Sequence, residues 1–354
     1  MTSTPAFYQQ LRDRLDQGPV EVATIIHTTG SAPREVGAKM AIGPDATIIG
    51  TIGGGAGEGK VMQQALALLQ QGDRQWVDID LTGATNRDIQ GVCGGKVRVW
   101  LQKWSGQAAI ALVEQILRCF ATSTVGTLVT PLLEKRLPYL LAEPIQTKQP
   151  NGRSERLRDR SQCDPDNFIE IIEPSPTLLI VGGGHVAMAL ARIAHLTGFQ
   201  IAVYDDRPDF VTPQRFPEAQ FLSASITAVL EQLAGFSQTY IALVARGFQQ
   251  DLVALQAILA SPNAYQYIGA IGSQKRIRMI DRALRQRSAA IEKLTSFYGP
   301  IGLDIGALTP EEIAISICAE LIKVRRGGTG LSLSQRMQLK TPNLAMPKVH
   351  LLSV

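Results

Sequence analysis

Apolar positions along this chain follow two rhythms, and the change from one to the other marks out its elements. Short unbroken apolar runs stand at residues 178–181, 200–204, 240–245 and 265–271, each closed by polar or glycine positions. Such runs predict strands buried on both faces, as in a parallel sheet. Between and after them the spacing turns helical. Val186, Leu190 and Ile193 share one face, as do Ile313, Ile317, Leu321 and Val324. A further helix is predicted over 250–259 and a short strand at Phe221-Leu222. The last helix opens on Thr309-Pro310-Glu311-Glu312, a capping box with proline at its first helical position, and stops at Gly327.

The first part of the chain has a different order. Helices are predicted over residues 6–17, 58–71 and 108–121, and strands over 20–27, 39–42, 47–51, 76–81, 96–102, 127–132 and 139–142. Gly18-Pro19 ends the first helix, and Gly43-Pro44-Asp45 turns one strand into the next. From residue 146 the chain becomes polar, with Pro150 and Asn151-Gly152 among many charges. The expected organisation is an N-terminal mixed α/β domain over 1–145, a polar linker over 146–170, a Rossmann-like parallel-sheet α/β domain over 171–330, and a loosely held tail over 331–354. No internal repeat is visible.

Composition narrows the classes. The 354 residues are 45% hydrophobic and 19% charged, enough to build two packed cores. A net charge of +4, with no basic helix carrying interleaved aromatics, gives no reason to expect nucleic acid. No apolar run reaches the length of a membrane span, and the stretch MTSTPAFYQQLRDRL lacks a signal core and cleavage site. A cytoplasmic protein is therefore expected. The four cysteines, Cys93, Cys119, Cys163 and Cys318, have neither zinc nor disulfide spacing.

The chemistry gathers at glycine loops. Residues 177–206 read strand, Gly182-x-Gly184-x-x-Ala187, helix, strand, and then Asp205-Asp206. This is the dinucleotide fingerprint with alanine at its third small position. The first glycine permits the tight turn, the second lets a pyrophosphate approach, and the helix N-terminus supplies N–H donors. Asp205 stands where an acid is expected to hold a ribose hydroxyl, about 20 residues on. A scaffold that keeps the turn without a ligand is the competing reading. Arg246 and Ser273, like Asp205, fall at carboxyl ends of predicted strands, where open α/β sheets bind ligands. Lys275 and Arg276 read equally well as solvated helix residues, and Asp304 as an Asx-turn.

A second glycine loop, Gly53-Gly54-Gly55-Ala56-Gly57-Glu58-Gly59-Lys60, follows a strand and feeds a helix, a geometry suited to an anion. It satisfies most of a P-loop, but Val61 stands where Ser or Thr must hold Mg²⁺. A glycine turn used only for packing is the plainer alternative. Cys93 lies between Gly91-Val92 and Gly94-Gly95. A free cysteine is most often a buried core residue, but flanking glycines expose a thiol and leave backbone N–H groups near it, which favours thiolate. Cys119 and Cys318 sit in helical patterns and read as core, and Cys163 in the linker reads as inert.

Taken together these segments resemble the XdhC/CoxI family, accessory proteins of xanthine dehydrogenase and carbon monoxide dehydrogenase type molybdenum enzymes. The resemblance rests on ATIIHTTGSAPREVGAKMAI, GTIGGGAGEGKVMQQA and VCGGKVRVW in the first part. In the second it rests on LLIVGGGHVAMALARIAHLTGFQIAVYDDRPDF, YIGAIGSQKR and IGLDIGALTPEEIAISICAELIKVRRG. It implies a protein that binds the molybdenum cofactor (molybdopterin), shields it during sulfuration and delivers it to an apo molybdenum hydroxylase of xanthine dehydrogenase type. A cysteine desulfurase and a second copy of the chain are the further partners implied, with NAD(P) or another nucleotide at the Rossmann site.

On these motifs the candidate cofactor-binding residues are Ser31, Arg34, Gly53, Gly54, Gly55 and Glu58, then Gly182, Gly184, His185, Asp205, Arg246, Gly272, Ser273 and Asp304. Cys93 is the candidate catalytic residue and soft metal ligand. The chain departs from the family pattern at Ala56, where many relatives carry cysteine, and at Phe248, where histidine is common. The competing function classes are an NAD(P)-dependent oxidoreductase and a P-loop nucleotide hydrolase.

Overall fold

A computed structural model of the chain describes residues 4–72, 74–81, 94–141, 161–163, 165–287 and 297–340. The chain divides into two compact units between Pro176 and Thr177.

In chain order the first unit contains α1 (Thr4–Leu15), β1 (Val20–Thr29), β2 (Lys39–Ile42), β3 (Ile48–Gly50), α2 (Gly55–Gln71), β4 (Gln75–Asp80) and β5 (Lys96–Trp104). It continues with α3 (Gly106–Ala121), β6 (Gly126–Pro131), β7 (Tyr139–Leu141), β8 (Ser161–Cys163) and β9 (Asn167–Ile172). One antiparallel sheet has the order β3-β2-β1-β5-β4, with β1 at its centre. Successive side chains of a strand point to opposite faces, and both faces of β1 are covered. Val20 and Val22 meet Leu11 and Leu15 of α1 and Val113 and Ile116 of α3. Ala23 and Ile25 meet Val61, Ala65 and Leu68 of α2, an i, i+4, i+7 stripe. Helix α2 starts at Gly55, three residues earlier than its sequence pattern suggests.

The second sheet of this unit, β7-β6-β9-β8, is also antiparallel. Its strands β8 and β9 begin within the stretch expected as a linker over 146–170. The end of that stretch is structured, and β9 buries Phe168, Glu170 and Ile172 on alternate positions. The sequence pattern misses this strand because Glu170 is an inward-facing charge. Its partner is Lys39 of β2, whose Nζ donates to both carboxylate oxygens, at 2.9 and 2.7 Å, and to Thr24 Oγ1 at 3.2 Å. Both side chains of the pair are almost fully buried.

The second unit contains β10 (Thr177–Val181), α4 (His185–Leu196), β11 (Gln200–Tyr204), β12 (Ala219–Ser223), α5 (Ile226–Gln232), β13 (Thr239–Leu243) and α6 (Phe248–Ala260). It continues with β14 (Tyr267–Ala270), α7 (Gln274–Arg287), β15 (Phe297–Tyr298), α8 (Pro310–Arg326) and α9 (Leu333–Lys340). All six strands are parallel, in the order β12-β11-β10-β13-β14-β15. Counted within this unit the order is 3-2-1-4-5-6, that of the dinucleotide-binding doubly wound fold. Burial of both faces explains the unbroken apolar runs. Leu178, Ile180, Tyr240 and Ala242 pack with Leu190 and Ala194 of α4 and Ile317 and Leu321 of α8. The capping box forms as expected: Thr309 Oγ1 accepts from Glu312 N at 3.3 Å, and Glu312 Oε2 accepts from Thr309 N at 3.0 Å. Among the described residues no helix is long and apolar enough to cross a membrane.

Candidate functional site

In the first unit three loops converge at one end of the β1 sheet. The segment after β1 forms a parallel bridge from Ser31 to Gly94. The approach is close: a Cβ on Gly95 would stand 2.5 Å from Thr29 O and would also strike Ser31 O, so only glycine fits. The loop before α2 meets the same segment, since a Cβ on Gly53 would lie 2.5 Å from Pro33 Cγ and 3.7 Å from Arg34 Cγ. Nothing lies within 4 Å of the Cβ positions of Gly54 and Gly55, and both are exposed. Ser31, Arg34, Gly53, Gly54, Gly55 and Glu58 are therefore gathered into one place, although 27 positions of sequence separate the first from the last.

Cys93 lies outside the described residues. Its neighbour Gly94 belongs to the Ser31 bridge, and Gly94 N donates to Leu81 O at 3.1 Å while Leu81 N donates to Gly95 O at 2.8 Å. These bonds join Leu81 to Gly94 and Gly95. Cys318 is buried as expected, and burial pushes its thiol up to about 12, which makes it inert. Cys119 is half-buried and Cys163 falls on β8.

Glu58 closes its own loop. Its Oε2 accepts from Thr51 Oγ1 at 2.6 Å and from Ile52 N and Gly54 N at 3.1 Å, and Thr51 Oγ1 accepts from Gly53 N at 3.1 Å. Burial alone would raise this carboxyl, but the bonds from Thr51, Gly54 and Ile52 outweigh it and hold Glu58 below the ordinary range. The loop's amides at 52–54 thus already face a carboxylate. Lys60, which a P-loop would aim at phosphate, donates to Asp78 O at 3.1 Å, and Val61 is buried in the core.

In the second unit the glycine loop lies between β10 and β13, where the strand order reverses. Gly182 has φ +115°, and a Cβ there would stand 2.8 Å from Ala245 Cα. Gly184 caps α4 with no side-chain bond, and nothing lies within 4 Å of its Cβ position. His185 is exposed on the first turn of α4. This is the open space a pyrophosphate needs over a helix N-terminus.

Asp205, expected from its position to hold a ribose hydroxyl, turns both carboxylate oxygens onto the protein. It is 4% exposed. Oδ1 accepts from Arg207 N at 3.0 Å and Arg207 Nε at 2.8 Å, and Oδ2 from Gly183 N at 2.8 Å and Arg207 Nη2 at 2.9 Å. Burial alone would raise this carboxyl, but the bonds from Arg207 and Gly183 outweigh burial and bring it down to about 2. Arg246, at the end of β13, grips Asp206 in a fork at 2.6 and 2.8 Å. Ser273, after Gly272, accepts from Arg276 N at 3.4 Å, and Asp304 is exposed before α8.

Sequence reasoning passed over Arg207, Arg215 and Asp251 in this corner. Arg207 follows the acid pair directly and was available as a signal. Arg215 donates to Gly183 O at 2.8 Å from 32 positions away, which no local pattern shows. Arg276, which the sequence leaves open as a solvated helix residue, forms an ion pair with the fully buried Asp251 and also donates to Ala245 O at 3.2 Å. Burial pushes the Asp251 carboxyl up to about 6, against the pull of Arg276. That pair fastens α6 and α7 to the strand end on which Gly182 rests.

The strand order of the second unit agrees with comparison to known proteins. A model of the XdhC and CoxI family matches residues 14–80, and a model of the XdhC Rossmann domain matches residues 178–321. The chain belongs to the XdhC/CoxI family. It is 29% identical over 323 residues to a probable xanthine dehydrogenase subunit of Bacillus subtilis, covering 88% of this chain and 94% of that protein. It is 25% identical over 314 residues to the molybdenum cofactor insertion chaperone PaoD of Escherichia coli, covering 86% and 83%. A crystal structure described as a xanthine dehydrogenase from Bacillus halodurans superposes with a TM-score of 0.70 at 26% identity, over 93% of this chain and 99% of that one.

Proposed function

We propose that this XdhC/CoxI protein is an accessory chaperone of a molybdenum hydroxylase of xanthine dehydrogenase type. It binds the molybdenum cofactor as cargo, supports its sulfuration with a cysteine desulfurase as partner, and inserts it into the apo-enzyme. It works in the cytoplasm as a homodimer. The observation that carries this reading is the Ser31–Gly94 bridge, which ties the residue next to Cys93 to the segment whose Pro33 meets Gly53. A relative named as a molybdenum cofactor insertion chaperone, aligned over most of both chains, supports it further. Molybdenum and its dithiolene are soft, and a thiolate at Cys93 suits them. The cofactor's phosphate suits the exposed glycines at the start of α2.

The test uses the full chain purified from a molybdate-replete host. It should retain a pterin, seen by fluorescence after oxidation, and activate apo-hydroxylase. Cys93→Ser should fold normally and fail in activation. Activation equal to wild type would remove Cys93 from the mechanism, and a chain that never carries pterin would remove the chaperone reading.

A second reading has its own observation. The 3-2-1-4-5-6 strand order, with open space at Gly184, favours a nucleotide in the crevice of the second unit. That site suits an NAD(P)-dependent oxidoreductase, or a chaperone that senses a nucleotide. Protection by nucleotides in thermal melts tests it. A P-loop hydrolase has no such support, given Lys60 and Val61.

A further inference from the structure

The corner at the end of β11 is built of donors where a ribose diol would need acceptors. A neutral diol is read by a carboxylate with lone pairs to spare, and a carboxylate offers about four acceptor positions. Asp205 uses two on each oxygen, all within the protein. Asp206, the other acid at this strand end, is held on both oxygens by Arg246. Asp205 can take no hydroxyl without giving up a bond, and the charge of Asp206 is already matched by Arg246.

The donors are better placed. Asp205 Oδ1 lies 2.8 Å from Arg207 Nε and 3.7 Å from Arg246 Nη1, so two guanidiniums flank one oxygen. Each uses only part of its five N–H groups. Among the described residues Arg207 Nη1 and Arg246 Nε make no hydrogen bond, and the two side chains are 35% and 42% exposed. Phe210 fixes the Arg207 plane, with the guanidinium carbon 3.4 Å from the ring centroid, and Arg215 lies 4.8 Å from the same centroid. Asp209, on the following turn, is exposed. Fixed, partly satisfied guanidiniums match the three oxygens of a phosphate monoester far better than a pair of hydroxyls.

We infer that the nucleotide taken by this crevice carries a phosphate on its adenosine ribose, so that the ligand class is a 2′-phosphorylated dinucleotide rather than one with a free diol. This rests on the reading that the crevice binds a nucleotide. Asp205 is then a positioning residue, holding Arg207 and the glycine turn, and Arg207 and Arg246 read the phosphate.

Calorimetry on the full chain decides, with NADP⁺, NAD⁺, 2′,5′-ADP and 5′-AMP as probes. NADP⁺ should bind at least about tenfold more tightly than NAD⁺, and 2′,5′-ADP more tightly than 5′-AMP by a similar factor, with affinity falling as salt rises. Arg246→Ala, checked for an unchanged melting curve, should bring the NADP⁺ to NAD⁺ ratio close to one, and Arg246→Lys should restore part of it. Equal or tighter binding of NAD⁺ overturns the inference and leaves the nucleotide reading intact. Inorganic phosphate competing as well as 2′,5′-ADP shows an anion site without nucleotide selectivity and also overturns it. No binding of any probe overturns both.

Discussion

The two glycine loops of this protein each hold a carboxylate against their own backbone, but they acquire it differently. In the first unit Glu58 comes from the helix that the loop itself begins, reaching back to Ile52 N and Gly54 N. Among the described residues no cation pairs with it, and it is half-buried. In the second unit Asp205 arrives from the neighbouring strand, bonds Gly183 N, and is sealed in by Arg207. A local carboxylate without a counter-ion can yield its amides to an incoming anion. A buried, charge-paired one cannot, and becomes part of the frame. The second loop leaves its ligand space elsewhere, over Gly184.

The largest effect should come from breaking the sealed carboxylate. Asp205→Ala removes the partner of Arg207 and leaves Gly183 N without its acceptor, and should cost about 2–3 kcal/mol in denaturant unfolding. The pH dependence has a definite sign. The folded pKa, about 2, lies below the unfolded value, so this stabilisation is present above about pH 4 and lost as pH falls toward 2. A loss under 1 kcal/mol would mean that Asp205 is no clamp.

Glu21 on β1 shows what a buried carboxylate does with neither loop nor cation. It is fully buried, neither oxygen has a hydrogen-bond partner among the described residues, and burial pushes it up to about 8 against the weaker pull of Lys103. Its folded pKa exceeds the unfolded one, so the protein should lose stability as pH rises from about 4.5 to 8. Glu21→Gln should flatten that slope and add roughly 2–3 kcal/mol at pH 7, the reverse of Asp205→Ala. An unchanged slope in melts from pH 5 to 8 would count against burial as its cause.

Removing the local carboxylate should be milder. Glu58→Ala should cost about 1–2 kcal/mol, because solvent can reach the freed amides. It should also change cofactor retention, which Asp205→Ala affects only through the fold. Smallest in stability is Gly184→Val. The backbone there is extended at φ −77° with no neighbour to strike, so the unfolding free energy should change by no more than about 1 kcal/mol. Nucleotide binding should vanish. Retained binding would place the ligand away from the helix N-terminus.

What could be read from the sequence was whatever short-range pattern encodes. Continuous apolar runs meant strands buried on both faces, and 177–206 declared a βαβ unit because turn, helix face and second strand are contiguous. The capping box at Thr309 and the left-handed stop at Gly327 needed no information beyond a few residues. The glycine segments of the first unit were legible as loops. Their meeting was not, since the Ser31–Gly94 bridge depends on β1 and β5 pairing across the sheet.

Long-range charge pairing decided the remainder. Strand β9 stayed hidden because Glu170 breaks its apolar alternation, and only Lys39, 131 positions away, offsets the cost of that burial. Asp205 sits where a ribose ligand is expected, and its spacing is correct. Whether its oxygens face a ligand or the protein depends on where Arg207 folds and on how close Gly183 lies, distances that exist only once β10 and β11 are side by side. Spacing along a chain specifies which residue types reach a strand end. Hydrogen-bond capacity is finite, and how it is divided among neighbours is settled only in the packed structure.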